Sequence, residues 1–431
     1  MKRTSGQARS DPGLARLALG IIAAAVLVAG CSPAQSMSGP PVIRVLGSWE
    51  GPELDAFESV VAPFEEQTGY RIDYTSTRNL RGVLETSFEA GRPPDLAGLP
   101  GPGFMLEMAR EGRLVDLGDV LDIRAYKRET APAFVDLGTI DGRLVGAFIK
   151  GTVKGLFWYD PSVYRLGTPA TWADLQLTAM TAVDGVRPWC VGLASDASSG
   201  WPGTDWIEDF VLRQSGPEVY DGWVAGTVRW TSPAIRKAFR AYGTVVADGA
   251  AAGGVDGVLR THFSHAPNGL FTDPPQCLFV HQASFMAPYM EQAVEQLGGS
   301  YDILPFPEVD PRYRGAIVGA GDLVALTHDS PGGRELIRYL VSAEAQSIWV
   351  SQGGALSANL TVTDYPDHLS RQQAELLASA TVFRFDASDS MPEGMNEAFW
   401  QAVLDFTADQ SKLDDILAHL DAIQEMEYRG T

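Results

Sequence analysis

Between residues 42 and 99 short apolar runs alternate with helix-patterned ones, and this alternation limits the fold more than any other feature of the chain. "VIRVLGSW" and "YRIDYTST" read as strands. Between them, "PELDAFESVVAPFEEQTG" sets Leu54, Phe57, Val60, Val61 and Phe64 at helical spacing, and Gly69 ends the run. "LRGVLETSFEAG" predicts a second helix, and "PPDLAGLP" a third strand entering a turn. Strand and helix in this order predict a parallel α/β sheet. Ligands of open α/β sheets bind beyond the carboxyl ends of the strands. That rule singles out Trp49 and Glu50, Thr77 and Arg78, and residues 99–103.

A second α/β section starts near "TVKGLFWYDPSVY" and continues through "TPATWADL", "RPWCVGLAS" and "SSGWPGTDWIEDFVLR". Downstream, "YDILPFPEV" reads as a strand ending in prolines. "RGAIVGAGDLVALTHDS" alternates apolar residues with glycine, and "GGRELIRYLVSAEAQSIWVSQGG" predicts one amphipathic helix. A chain of 431 residues exceeds what one core comfortably fills, so two lobes are expected.

At the amino terminus Lys2, Arg3, Arg9 and Arg16 precede the apolar run "LALGIIAAAVLVAG". This run is shorter than the ~20 residues a membrane span needs. A basic start, a short apolar stretch and small residues at its end form a secretory signal. "LVAGC" resembles the bacterial lipobox, which implies that residues 1–30 are removed and Cys31 is lipidated. An ordinary signal with a nearby cysteine is the alternative. Residues 31–41, rich in Ser, Pro and Gly, then form a flexible tether to the membrane. Cys190 and Cys277 remain, in an oxidising space, either as a disulfide or as two buried thiols. The net charge is −21, and four of the basic residues belong to the leader. So acidic a surface repels phosphate backbones, which excludes nucleic acid as a partner.

No G-x-S-x-G, P-loop, G-x-G-x-x-G or H-E-x-x-H motif occurs. His262 and His265 are spaced as one metal could use, but no further ligand at fixed spacing joins them, so they read as polar loop residues. No metal, cofactor or catalytic residue is expected. What stands out is aromatic residues beside carboxylates: Trp49-Glu50, Trp158 within "FWYD", and Trp201 with Asp205 and Trp206. A sugar ring has an apolar C–H face that an indole covers and a hydroxyl rim that Asp, Glu or Arg can bind. Trp201 and Trp206 flank a Pro-Gly-Thr-Asp segment expected to be a turn. They are expected to serve a pocket, Trp206 partly as a packing residue. Trp172 and Trp400 read as core.

These segments resemble the extracellular solute-binding proteins of carbohydrate ABC importers, the cluster that includes the maltose-binding protein. The resemblance rests on the lipobox, "SWEGPELDAFESVVAPFEEQTG", "GRPPDLAGLPGPG", "GLFWYDPSVY" and "TPATWADL". "GWPGTDWIED", "YDGWVAGTVRWTSP", "PWC", "PPQCLFVHQASF" and "FRFDASDSMP" resemble its α-glucoside branch. Two of these segments hold Cys190 and Cys277, which favours the disulfide. "WYDP" and "LSAN" depart from the wider cluster in supporting turns. The resemblance implies an α/β, two-lobe periplasmic-binding-protein-like fold of type II. The first lobe would take 41–150 plus 304–345, and the second 151–303 plus 346–431, with crossings near residues 149–153, 304–307 and 348–353. It implies a ligand set of Trp49, Glu50, Thr77, Arg78, Pro100, Gly101, Trp158, Trp201, Asp205, Trp206, Gly321, Asp322 and Arg384. The implied function is to capture a sugar by lobe closure, as a monomer, and to deliver it to membrane permease subunits without reaction. An extracellular glycoside hydrolase, and a binding protein of the same fold for another solute such as a glycerophosphodiester, are the rivals.

Overall fold

The computed structural model describes residues 40–429. The signal segment, Cys31 and the tether up to residue 39 lie outside the described residues. The first strands are β1 (Val42–Gly47), β2 (Arg71–Ser76) and β3 (Leu96–Leu99). β1 lies between the other two and is parallel to both, as the alternation predicts. The helix Pro52–Thr68 buries Phe57, Val60, Val61 and Phe64 against this sheet. Pro63 lies inside it. An internal proline costs a helix about 3 kcal/mol, whereas each buried large apolar side chain contributes about 1.5–3 kcal/mol, so the packed face prevails. Gly69, at φ 74°, closes the helix in the left-handed region.

A short hairpin, β4 (Thr139–Ile140) and β5 (Arg143–Leu144), leads into β6 (Ala147–Val153) and β7 (Leu156–Tyr159). Next come β8 (Arg187–Trp189), β9 (Cys277–Gln282), β10 (Asp302–Pro305), β11 (Ala316–Leu326) and β12 (Val382–Phe385). Two main sheets result. One has six strands in the order β12-β11-β3-β1-β2, with β6 also paired to β11. The other has four, in the order β10-β7-β9-β8. β11, 11 residues long, pairs with β12 at its start, β6 along its middle and β3 at its end. Each sheet has its own apolar core, so the molecule is a mixed α/β protein built around two sheets. Among the described residues no helix is long and apolar enough to cross a membrane.

Two local expectations change. "GGRELIRYLVSAEAQSIWVSQGG" forms two helices, Pro331–Leu340 and Ala343–Ser351, because Ser342 caps the second by accepting the Ala345 N–H at 3.2 Å. The segment after Trp201 is no turn but the first turn of the helix Trp201–Ser215. Proline is well placed there, since a first-turn N–H lacks an intrahelical partner anyway. Cys190 and Cys277 form a disulfide with Cα atoms 5.4 Å apart, tying the end of β8 to the start of β9.

Candidate functional site

A cleft enclosing about 1290 Å³, open mouth included, lies between elements of the two sheets. One wall is the expected set of strand ends: Trp49 after β1, Arg78 after β2, and Pro100 with Gly101 after β3. The floor is β6 and β11. Lys150 and Thr152 on the first, and Lys154 one residue past its end, alternate along the chain, so their side chains share one face. Ala320, Gly321 and Asp322 supply the second. The pairing register shifts between Asp322 and Leu323, with Ile149 as the extra residue on β6. Such a bulge re-aims side chains, and it sits where Lys150 meets Asp322.

The opposite wall comes from the helix Trp201–Ser215, from Phe263 and Phe285, and from the helix Glu393–Ala408. Gly200, at φ 109°, precedes Trp201, and a Cβ there would lie 2.3 Å from the Trp400 carbonyl oxygen. Only glycine lets the two backbones approach so closely, and this sets Trp201 and Trp400 on the same cleft. Phe263 meets the Trp201 ring edge to face at 5.1 Å.

Of the expected ligand set, Trp49, Arg78, Pro100, Gly101, Trp201, Asp205, Gly321 and Asp322 line this cleft. Trp49 is 2 % exposed and acts mainly as a support, its indole N–H donating to Asp322 Oδ2 at 2.8 Å. Glu50 and Thr77 are not among the lining residues. Glu50 accepts from Arg78 at 2.8 Å, and Thr77 Oγ1 accepts the Asn79 N–H at 3.0 Å.

Three expected residues lie elsewhere. Trp158 is fully buried, because β7 is interior to its sheet and covered on both faces; its N–H donates to the Gln282 carbonyl at 3.2 Å. Trp206 follows Trp201 by five helical positions, which turns it about 140° away. It stacks on His281 at 4.0 Å within the core. Arg384 forks onto Asp221 and so ties β12 to the helix Pro217–Val224, away from the cleft.

Several lining residues escaped the sequence reading. Glu393, Asn396, Glu397 and Trp400 recur at helical spacing and form one stripe facing the cleft, so Trp400 is a lining residue and not core. Trp172 is buried, as expected. Lys150 and Lys154 were legible as charges in the otherwise apolar run "FIKGTVKG".

The electrostatics of the site follow from burial. Lys154 donates to Asp205 Oδ1 at 2.7 Å and also contacts Asp386. Burial pulls its pKa down, but Asp205, Glu208 and Asp389 outweigh that and leave it above the ordinary lysine value. Lys150 is held in the same way by Asp322 and Glu53, each at 2.8 Å. Burial also raises Asp205, which Lys154 partly offsets; with the ammonium in contact, we read the pair as ionised. Burial lifts the carboxyl of Asp389 to about 8 and that of Glu208 to about 7. Glu393 rises to about 7, through burial first and Glu397 second.

Oxygens of Asp205, Glu208 and Asp386 lie within 4.8 Å of one another, a spacing a metal could use. Here the Lys154 ammonium bonds two of the three, and Glu208 accepts the N–H groups of Ala387 and Ser388. His262 bonds Ser264 at 2.8 Å, and no third ligand joins it and His265 among the described residues.

Several polar atoms of cleft-lining residues have no hydrogen-bond partner among the described residues. The indole N–H groups of Trp201 and Trp400, the Arg78 Nε–H, Asp205 Oδ2 and Asn396 Oδ1 are buried without a hydrogen bond. A buried polar group left unpaired costs about 1–3 kcal/mol, so the cleft is built for a ligand that both accepts and donates.

Comparison with known proteins agrees with this geometry. The family model described as bacterial extracellular solute-binding protein matches residues 49–347. The osmoprotective compounds-binding protein GgtB of Synechocystis sp. is 35 % identical over 84 % of this chain and 88 % of its own. The alpha-glucosides-binding periplasmic protein AglE of Rhizobium meliloti is 35 % identical over 86 % of this chain and 84 % of its own. Among solved structures, a chitin oligosaccharide binding protein superposes with a TM-score of 0.78 at 18 % identity, over 91 % of this chain and 100 % of that one. A maltose-bound MalE3 of T. maritima gives 0.70 at 18 % identity, over 89 % and 99 %. These last two likenesses concern the fold, which is the two-lobe type II arrangement. On the extent of the family match and of the two relatives, this chain belongs to the bacterial extracellular solute-binding proteins.

Proposed function

We propose that the chain is the substrate-binding protein of a carbohydrate ABC importer, that it captures an oligosaccharide by closing its lobes, and that it passes the ligand to a membrane permease. The observation carrying this reading is the unpartnered set on cleft-lining residues: two indole donors, a guanidinium N–H, a carboxylate oxygen and an amide oxygen, beside the rings of Phe263 and Phe285. A sugar offers hydroxyls that both donate and accept, and a C–H face for the aromatic rings. Carboxyl groups along the cleft outnumber cations seven to four, and with Asp389 and Glu393 holding protons up to about pH 7–8 the ionised groups stand at five to four, a near balance that favours a neutral polyol over a phosphodiester. The ligand class is an α-glucoside, such as a maltose- or trehalose-type sugar; this reading is supported by the Rhizobium meliloti relative, whose name describes it as alpha-glucosides-binding. Residues on both walls contact the ligand only in the closed form, so binding shifts the equilibrium toward closure. Micromolar affinity needs about 8 kcal/mol, within reach of a few stacked rings and charge-assisted hydrogen bonds. Cys31 anchors the exported chain to the membrane by its lipid.

The test is a calorimetric titration with mono-, di- and trisaccharides, with the sugars recovered and analysed afterwards. Saturable binding of an intact α-glucoside is expected. Cleavage of the sugar, or no binding across the panel, would reject the proposal.

A further inference from the structure

Lys150 and Lys154 are four residues apart on the same face of one extended segment, so their α-carbons lie about 13 Å apart. Both are nearly fully buried, at 3 % and 6 % exposure. Each makes the same arrangement. Lys154 occupies Oδ1 of Asp205, a residue 2 % exposed, and Oδ2 of that carboxylate is buried with no hydrogen-bond partner among the described residues. Lys150 occupies Oδ2 of Asp322, which Trp49 also bonds, and among the described residues no hydrogen bond or ion pair reaches Oδ1. Both carboxylates line the cleft. A carboxylate held at one oxygen cannot swing, and its second oxygen remains a fixed acceptor.

We infer that Lys150 and Lys154 are positioning residues: each locks one oxygen of a cleft carboxylate and so presents the other to a ligand hydroxyl, giving the cleft two separate donor-reading points. This rests on the carbohydrate reading above. Neither lysine need touch the ligand. Lys154 acts through Asp205 and Lys150 through Asp322. The second carboxylate on each ammonium, Asp386 or Glu53, fixes the lysine itself. Ligands with hydroxyls replaced by ethers or fluorine at these points would lose binding, because neither can donate.

The test is a set of double-mutant cycles read by calorimetry with maltose and trehalose, beside carboxyl-carbon NMR of the sugar-free protein. Lys154→Met and Asp205→Asn should each weaken sugar binding at least tenfold, and the double variant should bind no more weakly than the worse single one. Lys150→Met and Asp322→Asn should behave alike, whereas Lys150→Met with Lys154→Met should multiply their losses, being too far apart to couple. Where Lys154→Met fails to fold in a thermal melt, Lys154→Gln carries the same cycle. In the NMR experiment, removing the Lys154 charge should raise the pH at which Asp205 titrates. Unchanged sugar affinity on loss of Lys154, independent effects of Lys154 and Asp205, or an unmoved Asp205 titration would each overturn the inference. A wild-type protein that takes neither sugar rejects the α-glucoside reading instead, and the Asp205 titration then decides the positioning role.

Discussion

Replacing Trp201 and Trp206 separately with alanine should damage different properties, although the two lie on one helix. Trp206 is 1 % exposed and packs on His281 at 4.0 Å, Phe157 at 5.5 Å and Trp189 at 5.6 Å. Emptying such a site costs about 3–5 kcal/mol. Unfolding about 390 residues carries an entropy of roughly 0.8 kcal/mol/K, so Tm should fall by about 4–6 °C. Trp201 touches Phe263 and Phe285 but also lines the cleft with its N–H unpaired. Losing its ring face and donor should cost about 1–3 kcal/mol of sugar binding, or roughly 5- to 150-fold in Kd. Scanning calorimetry and sugar titration on both variants separate the effects. A Trp206→Ala protein with weakened sugar binding and unchanged Tm, or a Trp201→Ala protein with wild-type affinity, would refute the reasoning.

The raised carboxyls give the sugar-free protein a definite pH dependence. Asp389 at about 8, and Glu208 and Glu393 at about 7, hold protons in the fold that the unfolded chain releases near pH 4. Their stabilisation is therefore complete below that range and declines as pH rises toward 7–8. Asp310, lowered to about 2 by Arg312, does not oppose this trend, because its contribution is already complete above pH 4. Tm should fall between pH 5 and 8.5, and Asp389→Asn should flatten the fall; a Tm that climbs across this window would contradict the burial argument. Replacing Cys190 and Cys277 by serine opens a link between residues 87 apart, which the chain-entropy model values at about 4–5 kcal/mol. Thermal melts of this double variant should show Tm lower by about 5–6 °C, and an unchanged melt would show that the link does not constrain the unfolded chain.

The first sheet was legible because its signals are local. Apolar spacing in residues 52–68, the stop at Gly69 and the short runs around it correspond to a strand, helix and strand that the structure contains. Of the residues that the strand-end rule singled out, Trp49, Arg78, Pro100 and Gly101 line the cleft. Composition beside carboxylates was a poorer guide. It grouped Trp201 with Trp206, although helical geometry turns them apart, and it drew in Trp158 from an interior strand. Trp400 was hidden for the opposite reason: its neighbour Phe399 is core, and only the stripe from Glu393 to Trp400 reveals the second face of that helix. Lys150 and Lys154 could be seen as charges in a buried strand, but their carboxylates come from distant segments, at Glu53, Asp205, Asp322 and Asp386. Such pairings depend on tertiary contacts that local pattern does not encode.

The most direct test of the central claim follows the indole N–H resonances of nitrogen-labelled tryptophan while maltose or trehalose is added. A sugar held between the two walls should shift the signals of Trp201 and Trp400, which have unpaired donors on the cleft, and leave those of Trp158 and Trp206 in place. Sugar binding, proven by calorimetry, that leaves Trp201 and Trp400 unmoved would contradict the account.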